Sequence, residues 1–255
     1  MDAVFTLMSP QFLVLALCVG LFAGIVKGLV GFAMPMILIS GLTMFLPPEI
    51  ALAGLILPTV VTNGVQALRQ GARAAWGTIC RFRVFLGAGG LLLIASAQMV
   101  QILEAQTLFL IIGISVTVFS AMQLLGWQPK LPEKTNVLEG AIGAFAGFIG
   151  GLSGVWGPPT VAYLTAIETP KAEQMRAQGV IYGLGAVLLL VAHVGSGVVS
   201  ARTLPFSALL VAPALIGMGI GFRLQDRIAQ HQFKRLTLLV LLIGGLNLIR
   251  RGVMG

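Results

Sequence analysis

Long apolar runs separated by short polar connections make up most of the chain. Ten of these runs contain 13 to 20 residues, and a membrane-spanning helix needs about 20 apolar residues. The pattern therefore predicts an all-α polytopic membrane protein built from ten apolar segments. In chain order the segments are Gln11–Val26, Phe32–Leu46, Ile50–Leu68, Val84–Gln98, Leu108–Trp127, Val137–Ile149, Leu152–Ile167, Gln178–Val194, Leu204–Phe222 and Leu236–Ile249.

A polar stretch at residues 128–136 divides the ten segments into two sets of five. It contains two prolines and charges of both signs, a composition typical of a connection between elements. We therefore predict an N-terminal membrane repeat over residues 1–127, a cytoplasmic linker over residues 128–136 and a C-terminal membrane repeat over residues 137–255.

An internal duplication is indicated by one motif that occurs at the same place in each half. Phe22–Pro35 aligns without gaps on Phe145–Pro158 at an offset of 123, with seven identities in the order Phe, Ala, Gly, Gly, Leu, Gly, Pro. The chain has 33 glycines, so scattered glycine matches mean little, but this ordered series is hard to obtain by chance. The match predicts two related structural repeats of about five segments each.

The composition narrows the class of protein further. Hydrophobic residues make up 57% of the chain and charged residues only 9%, whereas a soluble domain carries about 25% charged residues. These values exclude a soluble enzyme, a disordered chain and a secreted disulfide scaffold. Cys18 and Cys80 are expected to be unlinked thiols. Because Met1–Val4 lacks the basic region of a signal peptide, we expect the first apolar run to be retained as a membrane segment.

The basic residues predict the orientation of the chain, since cytoplasmic loops are enriched in Lys and Arg. The net charge of +8 would suggest nucleic acid only if these residues shared a soluble face. If four connections lie in the cytoplasm, they hold twelve basic residues. The first half then begins outside and the second half begins inside, so the two halves have opposite orientations. Inverted repeats of this kind are common in secondary transporters, and we predict a multi-pass protein of the cytoplasmic (inner) membrane. The twelve residues are Arg69, Arg73, Arg81, Arg83, Lys130, Lys134, Lys171, Arg176, Arg223, Arg227, Lys234 and Arg235, which leaves Arg202, Arg250 and Arg251 outside and Lys27 buried.

The duplicated motif predicts a broken or re-entrant helix pair in each half. The 13 residues of Val137–Ile149 would span about 20 Å, short of the roughly 30 Å hydrocarbon core. Backbone amides at a helix start within the membrane form a site for an anion, and prolines suit the first turn of the helix that leaves the break. The alternative is that the glycines only allow close packing between helices. The substrate-binding residues predicted at the breaks are Gly28, Gly31, Phe32 and Pro35 in the first half and Gly151, Ser153, Gly154, Gly157 and Pro158 in the second.

A few polar side chains within the apolar segments complete the predicted site. Lys27 is either a buried cation that attracts an anion or a lysine that snorkels to the cytoplasmic interface. Asn63 and Gln66 share one helix face, and Gln178 and Tyr182 form a similar pair in the corresponding segment of the second half. Tyr163 lies near the second motif. The paired side chains either line a pathway or bond neighbouring helices.

Motifs for catalysis, metal binding and nucleotide binding do not occur in the sequence. We therefore predict a protein that is not an enzyme and has no cofactor and no nucleic-acid partner. Its expected partners are the lipid bilayer, a small anionic substrate and a second copy of the chain in a homodimer. Transport would be driven by an ion gradient, with a proton or a sodium ion as the coupling ion, or by the gradient of the substrate itself.

The two motifs resemble the paired signatures of the TauE/SafE family of membrane permeases. They read Gly24-x-x-Lys27-Gly28-x-x-Gly31-Phe32 and Gly147-x-x-Gly150-Gly151-x-x-Gly154-x-x-Gly157-Pro158-Pro159. The resemblance extends to chain length, duplication, central linker and motif order, and it implies movement of sulfite, sulfonates or other small sulfur or organic oxyanions. We predict a secondary transporter of such an anion that works by alternating access. The alternatives are an anion channel and a membrane scaffold subunit that does not transport.

Overall fold

The computed structural model describes residues 8–42, 44–97, 105–126, 135–153, 157–195 and 200–254. These parts of the chain are helical apart from short connections, so the all-α prediction is confirmed for them. The helices are α1 (Pro10–Val30), α2 (Met34–Leu42), α3 (Pro48–Leu68), α4 (Ala72–Arg81), α5 (Arg83–Ala97), α6 (Ala105–Leu124), α7 (Asn136–Ser153), α8 (Gly157–Ala166), α9 (Lys171–Gly195), α10 (Leu204–Arg227) and α11 (Gln230–Met254).

Two expectations about individual elements were wrong. Helix α7, which ends within the second motif, contains 18 residues instead of 13 and continues through Gly150 and Gly151, since glycine is tolerated within membrane helices. The short helices are the ones that come next, with nine residues in α2 after the first motif's break and ten in α8. In addition, α4 occupies a stretch that was predicted to be a loop.

Three helices in the described part of the chain are long and apolar enough to cross a membrane, namely α1, α10 and α11. The pair α4 and α5 passes the same test and is bent by 76° at its junction, which gives up to four spans. These helices indicate a multi-pass membrane protein. Ten crossings and an inverted repeat stay predictions.

Contacts along the chain define two compact units, each with residues from both sides of the linker. Unit 1 comprises Met1–Arg69 and Gly179–Ile228, and unit 2 comprises Gln70–Gln178 and Ala229–Gly255. Helix α9 begins in unit 2 and continues in unit 1. Most of residues 128–136 lie outside the described residues, so the division into sequence repeats stays a prediction.

In unit 1, α1 and α10 pack with their backbones in direct contact. A Cβ atom added to Gly24 or Gly28 would overlap the carbonyl oxygen of Ala214 or Met218, respectively. The residue numbers of the contacting positions increase in the same direction along both helices, so α1 and α10 run parallel. The packing alternative therefore applies to Gly28, which lies within α1 rather than at its end.

A proline within α3 is accommodated by a hydroxyl group from α10. Pro58 has no N–H, so the carbonyl of Gly54 loses its usual partner within the helix. The Ser207 hydroxyl donates to that carbonyl at 3.1 Å and accepts from the backbone N–H of Leu57 at 3.1 Å. This contact restores the hydrogen bonding of α3 and joins it to α10 just before the polar part of α3.

In unit 2, α5 packs along α7 in the same backbone-to-backbone manner. A Cβ atom on Gly143 or Gly147 would overlap the backbone of Phe85 or Gly89, respectively, which makes this pair parallel as well. Helices α6 and α11 pack antiparallel, since Gly113 lies near Ile249 and Gly252 lies near Gln106.

Candidate functional site

The first duplicated motif contains a sharp break between two helices of unit 1. Gly31 follows the last residue of α1 with φ 87°, and its N–H donates to the carbonyl oxygen of Lys27 at 2.7 Å. This left-handed conformation is one that glycine adopts readily. Ala33 also has a positive φ, 73°. The chain then enters α2 with Pro35 as its second residue, so the break and the proline lie where the sequence predicted them.

Lys27 is buried one turn before this break. Its side chain is 1% exposed, and its Nζ donates to the Oδ1 atom of Asn63 on α3 at 2.5 Å. A snorkelling lysine would extend its ammonium group to the membrane surface, so this geometry disfavours that alternative. The two ion pairs among the described residues, Arg69–Asp226 and Arg81–Glu173, do not involve Lys27. The Lys27 Nζ atom is therefore buried beside a neutral partner, where a positive charge is energetically costly.

The face of α3 that carries its buried polar side chains lies along the break between α1 and α2. Gln66 donates from Nε2 to the carbonyl oxygen of Gly31 at 3.1 Å. Thr62 is fully buried, and its Oγ1 atom lies 3.7 Å from the Sδ atom of Met34. Sequence reasoning missed Thr62, although its position between Thr59 and Gln66 on the same helical face would have indicated it.

Two further residues that the sequence analysis missed are glycines of α9 next to this face. Gly183 lies beside Asn63, with 3.6 Å between an added Cβ and the Asn63 Cβ. A Cβ on Gly179 would lie 2.5 Å from the backbone nitrogen of Ala67. The spacing of four between the two glycines was the available signal, since small residues at that interval let helices approach closely.

The predicted site residues of the first half therefore come together in unit 1. Asn63 and Gln66 are 1% and 2% exposed, and Phe32, which follows Gly31, is buried as well. Pro35 is half-buried. The side chains of these residues lie around the break between α1 and α2 or on the α3 face next to it.

The predicted site residues of the second half belong to unit 2. Tyr163 is buried in α8, where its ring stacks on Phe85 with 5.9 Å between centroids, and Gln178 is fully buried in α9. Gly154 lies outside the described residues. The remaining four are placed by their helices alone: Gly151 and Ser153 at the end of α7, and Gly157 and Pro158 at the start of α8.

Polar contacts near the bend between α4 and α5 hold the helices of unit 2 together. Glu139 of α7 is buried and accepts from the backbone N–H of Phe85 at 3.2 Å, in the first turn of α5. A carboxylate is favourable there because of the helix dipole. Arg81 forms an ion pair with Glu173, and the Nε of Arg176 donates to the Thr78 hydroxyl at 2.7 Å.

The family model described as Sulfite exporter TauE/SafE matches residues 16–248, which is most of the chain. No curated protein and no solved structure matches the chain. The matched region contains both duplicated motifs and the polar face of α3. The chain therefore belongs to the sulfite exporter TauE/SafE family, a family of membrane transporters for sulfur anions.

Proposed function

We propose that this protein is a secondary transporter that moves a small sulfur oxyanion, such as sulfite or a sulfonate, across the cytoplasmic membrane. The observation that carries the proposal is the buried Lys27 side chain at the break between α1 and α2, whose hydrogen-bond partner among the described residues is the neutral amide of Asn63. Intramembrane charges commonly mark substrate pathways. A bound anion would supply the negative charge that this ammonium group lacks.

The groups around Lys27 are suited to binding an oxyanion. An ammonium group has three N–H donors, and the structure assigns one of them to Asn63. Because Asn63 presents its Oδ1 to the lysine, its NH₂ group points away from the ammonium and offers further donors. The start of α2 would also favour a bound anion, since the first backbone amides of a helix have no partner within the helix.

Alternating access would follow from movement of one repeat relative to the other, as in transporters with inverted repeats. The start of α8 at Gly157 and Pro158 would serve in the second half as the start of α2 does in the first. An ion gradient, carried by protons or sodium ions, or the gradient of the substrate would drive the movement.

Uptake of radiolabelled sulfite by proteoliposomes tests this proposal. We expect saturable uptake that unlabelled sulfite and sulfonates inhibit. Lys27→Met should raise the half-saturating sulfite concentration at least tenfold, because a hydrogen bond to a charged group contributes about 1.5–3 kcal/mol. Lys27→Arg should retain part of the affinity.

Arg73→Gln is the matched control, because it removes one positive charge from an exposed position outside this site. Its uptake should equal that of the unaltered protein. Uptake that is unchanged in Lys27→Met would refute the assigned site. Absence of flux for a panel of sulfur and carboxylate anions, with correctly inserted protein, would refute transport, and unitary current steps would identify a channel instead.

A further inference from the structure

A cavity lined by several polar residues lies in unit 2, where the turn between α8 and α9 meets the start of α11. Its volume is about 580 Å³, within the roughly 300–1,000 Å³ range of small-molecule sites. Thr165, Thr169 and Gln174 line one part of it, and His231 and Lys234 of α11 line another. Lys27 and the polar face of α3 contribute nothing to its lining.

A buried hydroxyl group lines this cavity without a hydrogen-bond partner. Thr169 is 2% exposed, and its Oγ1 has no partner among the residues that the structure describes. The neighbouring Gln174 is also buried and donates to the Thr165 hydroxyl at 3.3 Å, so the Thr165 O–H is left to donate elsewhere. Buried polar groups are normally satisfied, and a ligand in the cavity would satisfy Thr169.

The turn that carries Thr169 is held in a strained conformation. Glu168 has φ 53°, a left-handed position that glycine usually occupies at the end of a helix. Its N–H donates to the Thr165 carbonyl at 3.1 Å, and the N–H of Thr169 donates to the Leu164 carbonyl at 3.0 Å. A glutamate at such a position points to a use for its carboxylate, since strained residues cluster at functional sites.

Gln230 at the start of α11 fixes the turn to the other side of the cavity. Its Oε1 accepts from the Lys171 backbone N–H at 2.8 Å, and its Nε2 donates to the Thr169 carbonyl at 3.5 Å. The lining is thereby preorganised, which lowers the entropic cost of binding.

We propose that this cavity binds a small organic anion that also carries a hydrogen-bond donor, at a site separate from Lys27. The acid group would lie between the Thr169 hydroxyl, the Lys234 ammonium group and the His231 imidazole. The Glu168 carboxylate, an acceptor when ionised, would bind the hydroxyl or ammonium group of the same molecule. The charge distribution of the sequence predicts that the cavity faces the cytoplasm.

Calorimetric titration of the purified full-length protein tests this proposal with two matched probes, 2-hydroxyethanesulfonate and ethanesulfonate. The titrations use the Lys27→Met background, so that the heat reports on the cavity, and Lys27→Gln replaces it if the first variant does not fold. We expect the hydroxylated probe to bind more tightly. Thr169→Val and Lys234→Met should each weaken its binding at least fivefold, whereas Thr169→Ser should retain it.

Thr237→Val is the matched control, because Thr237 is another buried threonine of unit 2 whose hydroxyl lacks a partner among the described residues. It should leave binding unchanged. Glu168→Gly should remove the preference for the hydroxylated probe while the sulfonate still binds. The proposal is overturned if neither probe binds once Lys27 is replaced, or if Thr169→Val and Lys234→Met have no effect. Binding of ethylammonium in place of the sulfonates would also overturn it. Loss of sulfite uptake in Lys27→Met, by contrast, bears only on the proposed transport site.

Discussion

At the residue scale, two non-glycine positions in the described part of the chain have a left-handed backbone, Ala33 and Glu168. Each lies at a helix end next to a polar site: Ala33 precedes α2 beside the Lys27 site, and Glu168 follows α8 beside the cavity of unit 2. Such a conformation costs an L-residue about 1–2 kcal/mol. The surrounding contacts must offset this strain, and at both turns they include several backbone hydrogen bonds.

Replacement of Gly31 tests the need for a left-handed residue at the break. Gly31→Ala should lower the free energy of unfolding by about 1–2 kcal/mol, because alanine is strained at φ 87°. Gly64→Ala in α3 is the control, since an added Cβ there meets nothing within 4 Å and alanine favours a helix by up to about 1 kcal/mol. Unfolding by SDS in mixed micelles measures both, and equal stability of the two variants would contradict the argument.

Replacement of Glu168 by glycine should change the free energy of unfolding in the opposite direction. Glu168→Gly should raise the free energy of unfolding by about 1 kcal/mol, because glycine relieves the strain at φ 53°. Glu168→Gln keeps the strain and should leave stability near that of the unaltered protein. A glycine variant that is less stable than the glutamine variant in the same SDS titration would show that the carboxylate stabilises the turn.

At the element scale, each unit contains the same type of parallel helix pair, with one helix from each half of the sequence. Gly20 and Gly24 of α1 contact Leu210 and Ala214 of α10, whereas Gly143 and Gly147 of α7 contact Phe85 and Gly89 of α5. The glycines are 123 positions apart and their partners 125 positions apart. In each unit the first helix of one half thus packs on the fourth apolar helix of the other half. This similar pairing is consistent with the duplication that the motifs predict, which stays a prediction.

Two glycines of α10 separate the effect of close helix packing on stability from the general effect of replacing a glycine in a helix. A Cβ on Gly217 would overlap the Leu21 carbonyl, whereas a Cβ on Gly219 meets nothing within 4 Å. Gly217→Ala should therefore lower the free energy of unfolding by about 1–3 kcal/mol through overpacking. Gly219→Ala, two residues away on the same helix, should leave it unchanged or slightly raised. If the two alanine variants unfold at the same SDS fraction, the backbone contact between α1 and α10 contributes nothing to stability.

At the scale of the whole molecule, the basic residues predict which connections face the cytoplasm. Within unit 1, α1 and α10 run parallel, and the predicted topology requires that direction, since both would cross from outside to inside. The predicted topology also requires α6 and α11 of unit 2 to cross in opposite directions, and they pack antiparallel. The opposite orientation of the two halves stays a prediction for experiment.

Cysteine labelling in intact cells tests this topology. In a Cys18→Ser, Cys80→Ser background, Arg202→Cys should react with a membrane-impermeant maleimide added outside. Arg73→Cys should react only after permeabilisation, and both positions are exposed in the structure, so access depends on the side of the membrane. Labelling of both cysteines from the same side would refute the assigned orientation.

The sequence by itself determined the helical class, the break at the first motif and the family, because apolar runs, glycine and proline act over a few neighbouring residues. It also placed Asn63 and Gln66 on one face of α3 through helical periodicity. Helix α4 escaped prediction because its two arginines interrupt the apolar pattern, although its Ala75 and Thr78 are buried. The end of α7 escaped because Gly150 and Gly151 read as a helix end, whereas glycine can continue a membrane helix.

Only the tertiary structure decided what depends on residues far apart in the chain. Lys27 and Asn63 are 36 positions apart, so their hydrogen bond leaves no local pattern. Whether a glycine turns the backbone, as Gly31 does, or admits a neighbouring helix, as Gly28 does, depends on what packs against it. The cavity around Thr169 arises in the same way, because the end of α8 and the start of α11 meet only in the folded chain.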